Sequence, residues 1–466
     1  MKFRSRFHAP YCSQQILVGL ACIVGMLYPM SVWAVDLEVA TFQIDATPPV
    51  GSPLCDALVP PSIGVDDPLS VRGIVLLPAD QPAIVLVAVD WVGIGNGGQD
   101  AWRQALSKAA ETSPDRVCVH ALHQHDAPGC DFTAEEICAD HELQGQLFPV
   151  DFARQTILLA AQALVDAVAQ PQRVTHIGMG QAKVEKVASN RRILGADGKV
   201  QHVRYSSCPD PAIRALPEGT IDPWVKLVSF WNDQEPLVAV SYYATHPQSY
   251  YRTGLVSADF VGMARSEREK ELPNTPHIHF NGAGGNIGAG KYNDGSQENR
   301  PLLAKRLADG AKAAWEATEK TTTDDLSLSW QTRQVDLPVA AWLTEADCRE
   351  RIADKNASQI DRLAAIRDLA WWKRCQAAGG ITIGRLRLGK LDILHLPGEL
   401  FVEYQLAAQR MRPESFVCTA AYGDYGPGYI GLAEAYSQGG YETGRVSRVS
   451  PRVEVVLMKA IQELMQ

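Results

Sequence analysis

The feature that most constrains the fold is an unbroken apolar run, AIVLVAVDWVGI, at residues 83–94. A strand with one wet face alternates apolar and polar residues, so this continuous run predicts a strand buried on both faces of a sheet. The run RVCVHAL at 116–122 predicts a second buried strand. Both sheet faces must then be covered, which the helical stretches between the strands can do. The sequence therefore predicts an α/β fold, a layered mixed sheet with flanking helices, in a single large domain.

Other segments extend this strand–helix alternation. Apolar residues at helical spacing predict helices at 100–112, 151–170, 301–318 and 359–377, the second of which stops at Pro171. The segments WVKLVSFWND and PLVAVSYYATH predict two strands around a turn, and ITIGRLRLGKLDILHLP predicts two more that meet at Gly389-Lys390.

The first 34 residues have the pattern of a secretory signal peptide. Three basic residues precede a long apolar run that ends at Ala34, and acidic, polar sequence follows at once. The run is long enough to approach a membrane span, so a single N-terminal anchor is the alternative. Cleavage after Ala34 is favoured because Pro29 interrupts the run. Cleavage at this position predicts a secreted or periplasmic protein whose domain covers residues 35–466.

The net charge limits the partners that the protein can bind, and the number of cysteines bears on disulfide formation. Without residues 1–34 the chain keeps 41 basic and 53 acidic residues, a net charge of −12, which argues against a nucleic-acid partner. Eight of the ten cysteines remain, an even number that is compatible with disulfides in an exported protein. The candidate pairs are Cys130–Cys138 and Cys348–Cys375. Cys118 lies in an apolar strand-like run, where a buried thiol is the simpler interpretation.

The segment VHALHQHDAPGCD, residues 119–131, holds the first candidate site. Side chains two apart on an extended segment share a face, so His123 and His125 can reach one metal ion or one substrate. They follow a predicted buried strand and precede a proline-glycine turn, a position where functional residues gather. His-x-His alone is a weak signal, and two polar side chains at a strand end are the alternative.

Later segments supply further candidates at the ends of predicted strands. His246 directly follows a strand, and Glu399 follows a strand and the turn Pro397-Gly398. The segment HIHFNGAGGNIGAGKYND, residues 277–294, runs from a strand into a glycine-rich turn whose backbone N–H groups can approach a ligand. It lacks the Lys-Ser/Thr of a phosphate-binding loop. Five tyrosines lie among glycines at 422–444, where packing is an equal alternative.

In their order along the chain, these motifs resemble the neutral ceramidases, secreted zinc amidases that cut the amide bond of N-acyl sphingosines. The resemblance runs from about Val39 to Tyr441 as a series of short motifs. The segments that carry it are DDPLSVRGIVL (66–76), VLVAVDW (85–91), HQHDAPG (123–129), SNRR (189–192), ATHPQS and LVSADFVGMA (within 244–264), PGELF (397–401), and the pair Tyr429 and Tyr441.

Carried over to the matching positions, the resemblance implies a zinc site and a set of residues around the scissile amide. The implied zinc ligands are His123, His246, Glu399 and Tyr429. The implied residues around the amide are His125, Arg191 and Tyr441, and the implied substrate contacts are Gly285 and Asn286. In this assignment His125 is the general base, and Tyr441 or Arg191 donates to the developing oxyanion. Two imidazoles, a carboxylate and a phenol oxygen are reasonable zinc ligands.

The chain departs from the ceramidase pattern in two places. Asn286 stands where the family has an aspartate, and Gly288 stands near the position of a serine. Only 25 residues follow Tyr441, too few for the family's C-terminal immunoglobulin-like domain. We therefore expect a zinc amide hydrolase for ceramide or another N-acyl lipid or amine, with peripheral contact to membrane lipid. An inactive ceramidase-like binding protein and a metallohydrolase for an ester or a lactam are the alternatives.

Overall fold

The computed structural model of this protein describes residues 36–377 and 380–466, without the side chain of Asp325. The predicted signal peptide, residues 1–34, lies outside the described residues. Everything described belongs to one compact unit. None of the helices in these two ranges combines the length and apolarity that a membrane crossing requires.

Three mixed sheets form the centre of the fold. The strand order in the first sheet is Val117–Ala121, Ile84–Val89, Ser70–Pro78, Leu37–Asp45, Gln172–Val174. The order in the second sheet is His277–Asn281, Glu235–Tyr243, Trp224–Asn232, His176–Lys183, Glu319–Thr322. The order in the third sheet is Leu328–Val335, Ile381–Leu388, Leu391–His395, Phe416–Ala420. In each sheet one neighbouring pair runs parallel and the others run antiparallel.

Short strands pair in the connecting segments. These pairs are Gly64–Val65 with Leu255–Val256, Gly93–Ile94 with Gly129–Cys130, Ser189–Asn190 with Ile287–Gly288, Arg192–Leu194 with Val200–Val203, and Glu399–Leu400 with Tyr429–Ile430. The α-helices are Gly97–Ala109, Phe132–Asp140, Val150–Val168, Pro211–Ala215, Asp259–Glu271, Asn299–Glu316, Glu345–Ala353, Gln359–Gln376, Val402–Met411, Ala433–Gln438 and Val453–Met465.

The strand Ile84–Val89 shows why the first sheet is covered on both faces. Val85, Val87 and Val89 belong to an apolar cluster that the strand shares with flanking helices. Ile84, Leu86 and Ala88 alternate with them and enter a second cluster, formed with strands of the other two sheets. The continuous apolar run therefore fills two cores at once, and the predicted α/β fold of mixed sheets with flanking helices is confirmed.

The candidate pairs Cys130–Cys138 and Cys348–Cys375 are not bonded in the structure, in which all eight cysteines of the described residues are free. Cys138 and Cys348 are buried in separate helices, and burial raises the pKa of the Cys138 thiol to about 12 and that of Cys348 to about 11. Cys130 is also buried, on a short strand, and burial raises its pKa well above the ordinary value. These thiols are therefore neutral side chains packed into the core.

Candidate metal centre

The candidate metal centre lies beyond the carboxyl ends of strands from all three sheets. His123 follows an edge strand of the first sheet, His246 follows a strand of the second, and Glu399 follows a strand of the third. None of the three residues is more than 3% exposed. One ligand atom from each lies within 4.8 Å of the other two. Separate strand ends thus converge on one buried point, which we call the metal centre.

Hydrogen bonds orient both imidazoles toward the carboxylate. Glu399 Oε2 lies 3.2 Å from His123 Nε2 and 3.1 Å from His246 Nε2. On the far side of each ring, His123 Nδ1 lies 2.7 Å from the carbonyl oxygen of Val92, and His246 Nδ1 lies 2.7 Å from that of Gly284. A carbonyl oxygen only accepts, so each Nδ1 carries the proton and each Nε2 presents a lone pair to the centre. Metal-binding histidines are oriented in this way.

The backbone at His123 adopts a conformation that few side chains tolerate. Its φ of +62° lies in the left-handed region, which is uncommon for residues other than glycine. The His123 N–H donates to the carbonyl oxygen of Trp91 at 2.8 Å, and its ring stacks on Tyr422 at 5.1 Å between centroids. Such conformations persist where surrounding contacts impose them, and they concentrate at functional sites.

The protonation states suit a divalent cation. Burial lowers the pKa of His246 to about 4, with a further contribution from the charge of Arg191. Burial opposes ionisation of Glu399, but positive charge on the facing His123 and His246 rings holds its pKa well below the ordinary value, a part that a bound cation would take over when the rings are neutral. A charged carboxylate beside a neutral imidazole at neutral pH is a donor set that fits zinc.

Tyr429 and Arg191 complete the inner face of the centre. The Tyr429 hydroxyl lies 3.1 Å from His246 Nε2, because the short strands that carry Glu399 and Tyr429 pair these two residues directly. Arg191 Nη1 donates to the Tyr429 hydroxyl at 3.2 Å and lies 3.3 Å from His246 Nε2. The phenol oxygen is thus within reach of an ion held by the other three side chains.

The buried guanidinium of Arg191 is held in place by a carboxylate that the sequence reasoning missed. Glu442 Oε1 lies 3.3 Å from Arg191 Nε, and Glu442 is fully buried. Burial lowers the pKa of Arg191, but Tyr429 and Glu442 more than compensate and raise it above its ordinary value. Glu442 directly follows Tyr441, a position that only the folded chain connects with Arg191.

His125 and Tyr441 lie toward the mouth of the centre. His125 Nδ1 donates to the His123 carbonyl oxygen at 3.0 Å, and its ring centroid is 6.2 Å from that of His246. Burial, followed by the neighbouring imidazoles, lowers the pKa of His125 well below its ordinary value. Tyr441 is 43% exposed and its ring centroid lies 5.7 Å from that of Tyr429. Both side chains are placed where they can face a molecule bound at the metal centre.

Gly285 and Asn286, the predicted substrate contacts, also make structural contacts at the back of the centre. The buried Asn286 side chain accepts from the N–H of Val402 at 2.9 Å and donates to Glu403 Oε2 at 2.9 Å, at the start of helix Val402–Met411. A Cβ on Gly285 would lie 2.2 Å from the Glu399 carbonyl oxygen. The glycine-rich turn therefore packs against the backbone of Glu399, and both polar ends of the Asn286 amide are already used.

Sequence reasoning also missed Tyr425. Its hydroxyl donates to Glu399 Oε1 at 3.2 Å, which leaves Oε2 to the two histidines. The Arg367 guanidinium lies 5.6 Å from the centre of the Tyr425 ring. The available signal was the glycine-rich segment at 422–444, whose tyrosines gave no indication of which one contacts the carboxylate.

Comparisons with known proteins support this fold. No protein-family model matches the chain, and no curated protein matches it in sequence. Among solved structures, neutral ceramidase from Pseudomonas aeruginosa is similar with a TM-score of 0.66 and 17% identity, over 92% of this chain and 74% of that one. A ceramidase structure described as complexed with C2 gives a TM-score of 0.65 and 16% identity, over 92% and 75%. The chain has the neutral ceramidase fold. The predicted resemblance is thereby confirmed for the fold, over almost the whole described chain.

Proposed function

We propose that this protein is a zinc-dependent amide hydrolase that acts on ceramide or a related N-acyl lipid. The observation that carries the proposal is the convergence of His123, His246 and Glu399 beneath the Tyr429 hydroxyl. A zinc ion held by these residues supplies a water of lowered pKa and polarises the amide carbonyl. The ceramidase fold supports the reaction class, since two solved structures that share it are ceramidases.

The remaining residues of the site divide the proton transfers and the charge stabilisation between them. His125 is neutral at the start of the reaction, so it accepts the proton of the attacking water and passes it to the departing amine nitrogen. The Tyr441 hydroxyl, whose pKa burial raises to about 12, keeps its proton and donates to the developing oxyanion. Arg191 stays charged and stabilises the same oxygen or orients a polar group of the substrate.

An apolar rim supports an N-acyl lipid over a small polar amide. Tyr251 packs 5.4 Å from His125 between ring centroids, and Tyr205 packs 5.6 Å from Tyr441. Both of these tyrosines are partly open to solvent, Tyr205 with 48% and Tyr251 with 39% of its surface exposed. Exposed apolar side chains around a site mark a surface for an apolar ligand. An apolar rim is suited to binding a long acyl chain. It is also suited to peripheral contact with membrane lipid.

Metal content and a substrate panel test the proposal together. Purified protein is assayed for bound metal, then for release of fatty acid from a short-chain N-acyl sphingosine, with the matching ester and a lactam as competitors. We expect about one zinc at the metal centre, amide hydrolysis, and loss of both in His246→Ala. Zinc binding without turnover of any substrate would favour the inactive binding protein. Turnover of the ester or lactam alone would favour the other metallohydrolase.

Export is part of the proposal. The basic and apolar pattern of residues 1–34 supports cleavage after Ala34 and release to the periplasm or the medium. N-terminal sequencing of protein recovered from cell fractions tests this point. A mature chain that begins at Val35 is expected, and an uncleaved, membrane-bound chain would contradict it.

A further inference from the structure

A second group of ligand-type side chains lies between the first and third sheets. Cys118 and His120 lie two residues apart on strand Val117–Ala121, and His395 ends strand Leu391–His395. One ligand atom from each lies within 4.8 Å of the other two. The two histidines are buried and Cys118 is partly buried. We call this group the inter-sheet cluster; the hydrolytic mechanism uses none of its members.

Hydrogen bonds fix the tautomers in the inter-sheet cluster as they do in the metal centre. His120 Nδ1 lies 2.7 Å from the carbonyl oxygen of Ala421, so this nitrogen carries the proton. His120 Nε2 therefore presents a lone pair, and it accepts from His395 Nδ1 at 3.0 Å. The anchoring distance equals the 2.7 Å seen for His123 and His246. Hydrogen bonds of this kind to backbone carbonyl oxygens orient metal-binding imidazoles.

A small cavity and an unpaired nitrogen show that the hydrogen bond between the rings does not satisfy the cluster. Within the described residues His395 Nε2 has no hydrogen-bond partner, although His395 is only 3% exposed. Cys118, His120 and His395 line a cavity together with Trp330, and it offers about 30 Å³ to a water-sized sphere. That volume is enough for a water molecule or an ion.

We propose that Cys118, His120 and His395 form a second metal site, for zinc or a similar thiolate-binding transition ion. Tetrahedral zinc with Zn–N distances of about 2.0–2.1 Å separates two nitrogen ligands by about 3.3 Å. His120 Nε2 and His395 Nδ1 are 3.0 Å apart, within a few tenths of an ångström of that separation, so an ion would need a turn of the two rings and little change in their distance. Cys118 contributes a sulfur ligand and the cavity a position for water.

The proton balance follows from the tautomers. The ion takes the place of the proton between the rings, and that proton moves to His395 Nε2, which has no hydrogen-bond partner among the described residues. The Cys118 thiol releases its proton to solvent when sulfur binds the ion, so affinity rises with pH. Burial favours the neutral thiol and raises its pKa to about 12, whereas it lowers the pKa of His120 to about 4 and keeps that ring available as a ligand.

The position of the site indicates a structural role. An ion there joins the first sheet to the third, three residues before His123 and four residues before Glu399. The carbonyl oxygen that anchors His120 belongs to Ala421, and the next residue, Tyr422, stacks on His123. The second site would therefore fix the spacing of two strands that deliver ligands to the metal centre.

Cobalt substitution distinguishes the two sites, because only the inter-sheet cluster offers a thiolate. Metal-free protein is titrated with Co²⁺ while absorption is followed for the near-ultraviolet charge-transfer band of a cobalt–sulfur bond. We expect two ions per chain in the wild type, with the band developing during one of the two binding events. Cys118→Ala should lose the band and one ion. Cys418→Ala, which removes a buried thiol from the same core, should keep both.

The metal centre provides an independent control. His246→Ala should lose one ion and all hydrolysis yet keep the cobalt–sulfur band. The band therefore tests the second site even if the protein does not have the proposed function. A wild-type protein that reaches cobalt saturation without the band would overturn the second site, even if Cys118→Ala did not fold. So would a band that survives Cys118→Ala or disappears in Cys418→Ala.

Discussion

The metal centre and the inter-sheet cluster are built from similar parts but differ in what surrounds them. Each contains a histidine whose Nδ1 is anchored 2.7 Å from a backbone carbonyl oxygen, which turns Nε2 toward the other ligands. The metal centre adds the carboxylate of Glu399 and the apolar rim beyond His125. The inter-sheet cluster adds the thiol of Cys118 and a cavity of about 30 Å³.

This difference distinguishes a catalytic metal site from a structural one. A hydrolytic site needs a proton acceptor and an oxyanion donor within reach of a substrate, and His125 with Tyr441 can supply both beside the metal centre. The cavity of the inter-sheet cluster has room for little more than a water molecule. We therefore expect activity to depend on the first group, and the spacing of the sheets to depend on the second.

Replacement of Glu399 should have the largest effect of any single change. Glu399→Gln removes the charge shared by His123 and His246, so the metal centre should lose its zinc. Metal catalysis contributes several kcal/mol, and turnover should therefore fall by about 10³-fold or more. Metal analysis and the amide assay measure both effects. Glu434→Gln, on an exposed position nearby, is the control, and zinc retained at the wild-type level in Glu399→Gln would contradict the ligand assignment.

Local sequence patterns predicted the elements of the fold well, because they depend on neighbouring residues. The run at 83–94 contains the strand Ile84–Val89, and the helix predicted at 359–377 is Gln359–Gln376. Residues at strand ends were also identifiable from the sequence, including His123 and His246. Hydrophobic periodicity records burial and element type, and these depend on local order along the chain.

The contacts that connect distant segments could not be predicted from sequence patterns. Glu399 and Tyr429 are adjacent because two strands of two residues each pair in parallel, and segments this short carry no periodicity. The positive φ of His123 is held by tertiary contacts, since a histidine adopts this conformation far less readily than a glycine. The contacts of the Asn286 amide with the start of helix Val402–Met411 were likewise not predictable from the sequence. The sequence left the pairing of the cysteines open for the same reason, because spacing along the chain does not specify the distance between two sulfur atoms.

Removal of the His125 imidazole should separate metal binding from catalysis. His125→Ala should keep zinc at the metal centre, since its Nδ1 contacts only the His123 carbonyl oxygen. Turnover should fall by about 10²–10³-fold, the range expected when a general base is lost. The comparison of zinc content with kcat at saturating substrate measures this separation. Turnover equal to that of the wild type would remove His125 from the mechanism, and loss of zinc would make it a ligand.

A buried histidine outside both groups sets a baseline for the acid sensitivity of the fold. Burial, together with the charge of Arg265, lowers the pKa of His279 from 6.5 to about 3, and its Nδ1 pairs with the Ser241 hydroxyl at 2.8 Å. Between these pKa values the unfolded chain binds a proton that the native chain does not, so stability falls as pH falls. From pH 6.5 to 5 the loss should be about 2 kcal/mol.

Chemical unfolding of metal-free wild type and His279→Gln at these two pH values tests the baseline. The variant should show a smaller drop in unfolding free energy, by about 2 kcal/mol. Added zinc should leave this difference between the two proteins unchanged, because His279 belongs to neither group. A difference that zinc abolishes would mean that His279 takes part in metal binding.

The smallest predicted effect concerns the helix start beneath the metal centre. Asn286→Asp keeps an acceptor for the Val402 N–H but replaces the donor to Glu403 with a second carboxylate. Loss of that hydrogen bond, with repulsion between the two carboxyl groups, should cost about 1–2 kcal/mol. Burial already raises the pKa of Glu403, so one carboxyl should take up a proton as pH falls and the penalty should shrink.

The variant Asn286→Asp/Glu403→Gln restores a donor and should recover most of the loss. If Asn286 acts only at the helix start, the double variant should keep the wild-type KM, whereas a raised KM with restored stability would support the predicted contact between Asn286 and the substrate.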